Sequence, residues 1–156
     1  MQLRSLGRVA GLLILGSALF VACAGGASEK SEGSKSTEGS KAATGAGGDV
    51  GVTLSEWAVK PASASTKAGK VSFKVTNSGT TPHEFKIVKT DTAQDKLEKA
   101  NGIVDETKYK PLAMTKQLNG SQNEEVSAEL TAGKYVLICN VTGHYDLGMH
   151  SGFTVN

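Results

Sequence analysis

The chain has 156 residues, with 17 Lys and Arg against 15 Asp and Glu, two cysteines and 5% aromatic residues. That length suits one domain with extras rather than two, and a formal charge of +2 is too small to favour nucleic acid or an acidic membrane surface as a partner. Two cysteines exclude a disulfide-rich scaffold, and 19 glycines beside so few aromatics indicate that part of the chain is not globular.

Arg4 and Arg8 form a basic tip, followed by an uncharged run from Val9 to Ala22. The run is shorter than the roughly 20 residues that span a bilayer and has the length of a signal-peptide apolar region. A buried core helix fits poorly between a basic tip and a polar tract. The run ends in Phe20-Val21-Ala22-Cys23-Ala24-Gly25-Gly26, small residues around a cysteine. This resembles the bacterial lipobox, in which the cysteine is lipidated and becomes the new N-terminus, although Phe20 stands where Leu is usual. Residues 1–22 are therefore expected to be a lipoprotein signal peptide and Cys23 the lipidation site. The rest would work outside the cytoplasm, on the periplasmic side, anchored to the cell membrane.

Residues 24–48 hold no large apolar side chain, and their three Lys and three Glu cancel. Such a segment cannot bury enough surface to offset backbone ordering entropy, so a disordered tether is expected. As a flexible coil it would average roughly 25–30 Å end to end.

Residues 49–156 read as one β-rich domain. Val50–Val59 reads as a strand, and Lys70–Thr76 alternates cleanly, with Val71, Phe73 and Val75 on one face. Glu84–Lys89, Asn123–Leu130, Lys134–Cys139 and Gly152–Val155 follow as short strands separated by turn residues, the pattern of an antiparallel sandwich or barrel. Lys134–Cys139 is apolar almost throughout, which points to a central strand. Between them, Asp91–Asn101 reads as a short polar helix stopped by Asn101-Gly102. The stretch from 90 to 123 reads as an excursion packed on the sandwich, and as a long loop it is a candidate for partner docking. Trp57 and Met114 are expected to fill the core, and His150 to lie on the surface.

The chemistry concentrates in Cys139-Asn-Val-Thr-Gly-His144-Tyr-Asp-Leu-Gly-Met149. Five residues rotate a helix by about 140°, so Cys139, His144 and Met149 could not share a helical face. In a strand the odd spacing sends them to opposite sides. They converge only in a curled loop, which Gly143 and Gly148 would permit. Thr81-Pro82-His83 supplies a second imidazole at the start of another strand. One thiolate, two imidazoles and one thioether make the donor set that favours copper.

These residues carry a resemblance to the cupredoxins, the small blue copper proteins that include plastocyanin and azurin. It rests on the Val71–Asn77 strand, Pro82-His83, Gly133-Lys134-Tyr135 and the CNVTGHYDLGM loop, and covers about residues 50–156. The resemblance implies an all-β Greek-key β-sandwich, here with a short helix in an insertion. It also implies one mononuclear type 1 copper ion held by His83, Cys139, His144 and Met149. The function implied is one-electron transfer between redox partners of cytochrome or membrane oxidase or reductase type, by a monomer that is not an enzyme. The electron-transfer edge would be His144, Tyr145, Leu147 and Pro82. Glu84 stands where the family commonly has Asn, which leaves the hydrogen bonding of the thiolate open.

Other readings differ in what they ask of Cys139. A buried inert thiol leaves His144 and Met149 unexplained, and a nucleophilic cysteine wants an exposed electropositive setting. Zinc would normally bring more Cys, His or carboxylate ligands than this segment offers. A copper chaperone or reservoir is the rival from another class. The charge also has a location: Arg4 and Arg8 are the only arginines, and residues 49–156 hold twelve Lys against twelve Asp and Glu.

Overall fold

The computed structural model describes residues 46–156, so the expected signal peptide, Cys23 and nearly all of the expected tether lie outside the described residues. The strands are β1 Ala46–Ser55, β2 Ala58–Pro61, β3 Ser65–Thr66, β4 Gly69–Asn77, β5 Lys86–Lys89 and β6 Lys99–Ala100. They continue with β7 Ile103–Val104, β8 Pro111–Met114, β9 Asn123–Leu130, β10 Gly133–Ile138 and β11 His150–Val155. One sheet runs β2-β1-β4-β9 and the other β3-β11-β10-β5-β8, while β6 and β7 form a separate hairpin. β1 begins at Ala46, so the last residues of the stretch assigned to the tether are extended chain paired with β4.

The two sheets form a sandwich around one core. Val50, Val52 and Leu54 of β1 and Val71, Phe73 and Val75 of β4 supply one side. Ile87 of β5, Tyr135 and Leu137 of β10, and Phe153 and Val155 of β11 supply the other. Period-2 alternation does the sorting: in β4 the odd-numbered apolar residues are buried, and Lys74 and Thr76 are exposed. Phe73 sits at the centre, its ring 5.2 Å from Phe85 and 5.8 Å from Phe153.

β10 is central in its sheet, as its composition suggests. Its second apolar face has a separate cause. Val136 and Ile138, with Val88 of β5, point away from the main core into a second cluster with Leu97, Val104, Tyr109 and Tyr145. The excursion between β5 and β8 thus covers the outer face of the five-stranded sheet.

Three sequence expectations are corrected here. Val50–Val59 is not one strand: β1 and β2 are antiparallel neighbours, with Ser55 opposite Ala58 across a turn at Glu56-Trp57. The helix expected over Asp91–Asn101 does not form, and no helix occurs among the described residues. That segment lacks an apolar stripe to hold a helix on the sheet. Its one large apolar side chain, Leu97, is buried, and the Leu97 N–H is bonded to the Tyr145 hydroxyl instead of a helical carbonyl. Asn101 and Gly102, read as a helix stop, both have positive φ (54° and 81°) and make the tight turn of the β6–β7 hairpin. Met114 is not in the core either. β8 is an edge strand, Ala113 packs inward, and Leu112 and Met114 face outward and are exposed.

Candidate metal centre

Three of the expected ligands extend the inward-facing parity of strands. Phe85 and Ile87 point into the main core, and His83 precedes them at the same parity. His83 is locked by a two-way backbone bridge with Leu118: its N–H donates to the Leu118 carbonyl (3.0 Å) and its carbonyl accepts from the Leu118 N–H (2.7 Å). Cys139 follows Tyr135 and Leu137 in β10, and Met149 precedes Phe153 and Val155 in β11. The Cys139 N–H donates to the Met149 carbonyl at 3.0 Å, one step beyond the last β10–β11 pair, Ile138 with His150. These three residues are completely buried at one end of the core.

His144 arrives from the loop between them. The loop is a series of tight turns, with His144 N–H donating to Val141 O (2.9 Å), Gly148 N–H to Tyr145 O (3.1 Å) and Met149 N–H to His144 O (3.1 Å). Gly143 (φ 82°) and Gly148 (φ 108°) adopt the left-handed conformations that this curl requires. At Gly143 a side chain would meet nothing, so backbone conformation alone selects glycine there.

The result is a convergence of donor atoms. His83 Nδ1 lies 3.1 Å from His144 Nδ1, and Cys139 Sγ lies 3.5 Å from His144 Nδ1 and 4.0 Å from His83 Nδ1. His83, Cys139 and His144 can each offer one ligand atom, all within 4.8 Å of one another. Burial holds the His83 imidazole below its ordinary basicity, reinforced by nearby His144. Burial lowers His144 likewise. Both shifts favour the neutral imidazole, the form that binds a metal. Burial pushes the Cys139 thiol up, opposed by backbone hydrogen bonds from Glu84 and Val141. A buried thiol beside two neutral imidazoles, with a buried thioether on the adjoining strand, fits copper by donor chemistry: two nitrogens, one sulfur and a weak fourth ligand.

The role of Glu84 is now defined. Its backbone N–H, not its side chain, reaches Cys139 Sγ at 3.4 Å. The carboxylate turns to Lys86 (3.0 Å), which also pairs with Glu106. The thiolate contact is thus independent of the side chain at this position.

The excursion clamps the ligand loop at several points. The Asn140 side chain accepts from Val104 N–H (2.7 Å) and donates to Val104 O (3.1 Å) and Glu106 (2.7 Å). The Tyr145 hydroxyl accepts from Leu97 N–H (2.9 Å) and donates to Gln94 O (2.6 Å). Asn140 and Tyr145 directly follow two of the ligands, so these bonds fix the loop that carries Cys139 and His144.

Of the expected electron-transfer edge, Pro82 and Leu147 are exposed and His144 is partly exposed. Tyr145 is not at the edge. It is 5% exposed, because the second cluster offers its ring apolar neighbours and its hydroxyl two backbone partners. His150 is half-buried rather than on the surface, its ring 5.1 Å from that of Tyr145. Trp57 is not in the core as expected and instead takes the place expected of Tyr145. It is 40% exposed, with its ring 5.0 Å from His144 and 6.2 Å from His83, both edge-on. Sequence reasoning singles out neither Trp57 nor Glu56, whose carboxylate lies 3.7 Å from His83 Nε2, as a site residue. The signal was a phase slip: Val50, Val52 and Leu54 alternate on even numbers, while Val59 is odd, so the chain must turn between them.

Residues 62–156 match the family model described as the sulfocyanin (SoxE) domain. No curated protein matches. Among solved structures, auracyanin from Roseiflexus castenholzii is similar at 19% identity and a TM-score of 0.53, covering 71% of this chain and 98% of its own. Auracyanin A from Chloroflexus aurantiacus, described as a "blue" copper protein, is similar at 21% identity and a TM-score of 0.51, covering 70% of this chain and 100% of its own. An azurin from Methylomonas sp. strain J gives 17% identity and a TM-score of 0.51, with 71% and 99% covered. The likeness of fold and the family match agree with the donor set, which calls for one type 1 copper ion at His83, Cys139, His144 and Met149. The chain belongs to the sulfocyanin (SoxE) family of cupredoxins.

Proposed function

We infer that the protein is a one-electron carrier, tethered to a membrane and working outside the cytoplasm. The observation that carries the reading is the convergence of His83, Cys139 and His144 within 4.8 Å, at the buried end of a β-sandwich whose next strand begins beside Met149. Bound there, copper supplies one-electron chemistry between Cu(II) and Cu(I). The protein's contribution is rigidity. Three donors sit on or beside strands, and the fourth sits on a loop pinned by Asn140 and Tyr145. Little needs to move when the charge of the site changes, which keeps the reorganisation cost of electron transfer low.

The exposed side chains of Trp57, whose ring lies 5.0 Å from that of His144, of Leu147 on the ligand loop and of Pro82 next to His83 in the chain support docking of a redox protein, since apolar contacts can form there with little desolvation cost. The basic tip, the apolar run and Cys23 support a lipid anchor, and the polar stretch that follows supports a leash. No substrate-binding step belongs to this reading, which is that of a carrier rather than an enzyme.

The test is spectroscopic and electrochemical. The copper-loaded chain should show an intense visible band and a reversible one-electron potential, and Cys139→Ala should abolish the band. Copper-loaded protein that lacks the band, or loses copper rapidly to an acceptor without a reversible couple, would overturn the reading.

A further inference from the structure

The turn between β1 and β2 brings a carboxylate to the far side of His83. One oxygen of Glu56, Oε1, accepts the backbone N–H groups of Thr80 and Thr81, each at 2.7 Å. It also accepts the hydroxyls of Thr81 (2.8 Å) and Thr80 (3.3 Å). Room for this carboxylate depends on Gly79: a Cβ there would come within 2.5 Å of Glu56 Oε2. The carboxylate is therefore held in place from the β4–β5 connection, although the turn that carries it belongs to another hairpin.

Thr81 passes this arrangement on to the imidazole. Its hydroxyl has one proton, and that proton is directed to Glu56. The same oxygen lies 3.2 Å from His83 Nε2 and must accept from it. Glu56 Oε1 is itself 3.7 Å from Nε2. The proton of neutral His83 is thus placed on Nε2, and the lone pair on Nδ1. Nδ1 is the atom that faces Cys139 and His144.

Resting on the copper reading above, we propose that Glu56, acting through Thr81, is the positioning residue of His83. It fixes the Nε2–H tautomer and the ring orientation, and its negative charge favours Cu(II) over Cu(I), which lowers the reduction potential. A carboxylate behind a ligating histidine orients the ring and raises its basicity, and such partners are typically worth 10- to 100-fold in metal affinity. The higher charge of Cu(II) takes the larger share of that benefit.

The experiment uses the full chain with three variants. Glu56→Gln keeps the shape and removes the charge, Thr81→Val breaks the relay, and Thr81→Ser keeps the hydroxyl. In the metal-free wild type, nitrogen NMR of the imidazoles should show His83 as a single Nε2–H tautomer, which Thr81→Val converts to a mixture and Thr81→Ser preserves. In the copper-loaded protein, Glu56→Gln and Thr81→Val should keep the visible band. Their preference for Cu(II) should fall about tenfold, a rise in potential of about 59 mV for a one-electron couple, while Thr81→Ser stays at the wild-type value. An Nδ1–H tautomer in the metal-free wild type overturns the proposal. So do wild-type potentials in Glu56→Gln and Thr81→Val with the band intact. A wild type without the band would overturn the copper reading instead, and the NMR arm would still decide whether Glu56 and Thr81 position His83.

Discussion

Replacing Tyr145 by phenylalanine removes one oxygen, strands one buried backbone donor and hands one backbone acceptor to water. Tyr145 is 5% exposed, and its hydroxyl joins Leu97 N–H at 2.9 Å and Gln94 O at 2.6 Å. Leu97 is buried, so its N–H would have no other partner. Gln94 is exposed, and its carbonyl can turn to water. A stranded buried donor costs about 1–3 kcal/mol, and a hydrogen bond exchanged for water about 0.5–1.5 kcal/mol. The sum is about 1.5–4.5 kcal/mol, most of it from the Leu97 side. The assay is urea unfolding of the metal-free protein, because bound copper would add its own stabilisation by mass action. With a slope of about 1.5 kcal/mol per molar, a loss of about 3 kcal/mol lowers the midpoint by about 2 M. Amide exchange at Leu97 should accelerate in parallel. The copper band should keep its wavelength, since the hydroxyl bonds to the excursion and not to the donor cluster. A loss below about 0.5 kcal/mol, with Leu97 exchange unchanged, would refute the claim that Tyr145 clamps the loop and would return it to the solvent edge.

Three further outcomes follow from the same geometry. Burial pushes the Glu106 carboxyl up, but its bonds to Lys86 and Asn140 outweigh that and leave it below the ordinary 4.5. Its contribution is therefore present above about pH 4.5 and lost as pH falls through the lowered folded value. The stability difference between wild type and Glu106→Gln, measured by urea midpoint in the metal-free protein, should favour wild type at pH 7 and shrink below pH 4.5. Trp57 is the only tryptophan and lies 5.0 Å from His144. Its fluorescence should be quenched by Cu(II) and much less by Zn(II), and equal emission with both ions would contradict its placement. Phe73→Ala should cost about 3–5 kcal/mol in metal-free stability, because Phe73 is wholly buried between Phe85 and Phe153; a loss under about 1 kcal/mol would deny it the centre of the core.

The parts of the fold legible in the sequence are those where apolar and polar residues alternate. Val71, Phe73 and Val75 set the face of β4 because Ser72, Lys74 and Thr76 mark the other. Pro111-Leu112-Ala113-Met114 has no polar residue to set its phase, so size alone favours Met114 inward, whereas Ala113 is the side chain that packs on the core. Asn101-Gly102 fits both a helix stop and a hairpin turn, and only the pairing of β6 with β7 decides between them. Tyr145 reads as an edge residue only because it adjoins His144 in sequence. Its true surroundings come from Gln94 and Leu97, some fifty residues earlier in the chain.

The donor cluster was legible for a different reason. Cys, His and Met are rare enough, and chemically distinct enough, that their order points to a metal before any contact is known. Glu56 and Thr81 carry no such mark, since a glutamate in a turn and a threonine before a proline are ordinary surface residues. Their importance depends on the β1–β2 hairpin returning the chain to His83, 27 residues later in the sequence. The phase slip between Leu54 and Val59 reveals the turn but not what the turn meets. Ligands can thus be read from residue type, while the groups that orient them emerge only once the sheets are paired, and for His83 that orientation depends on the pairing of β1 with β4.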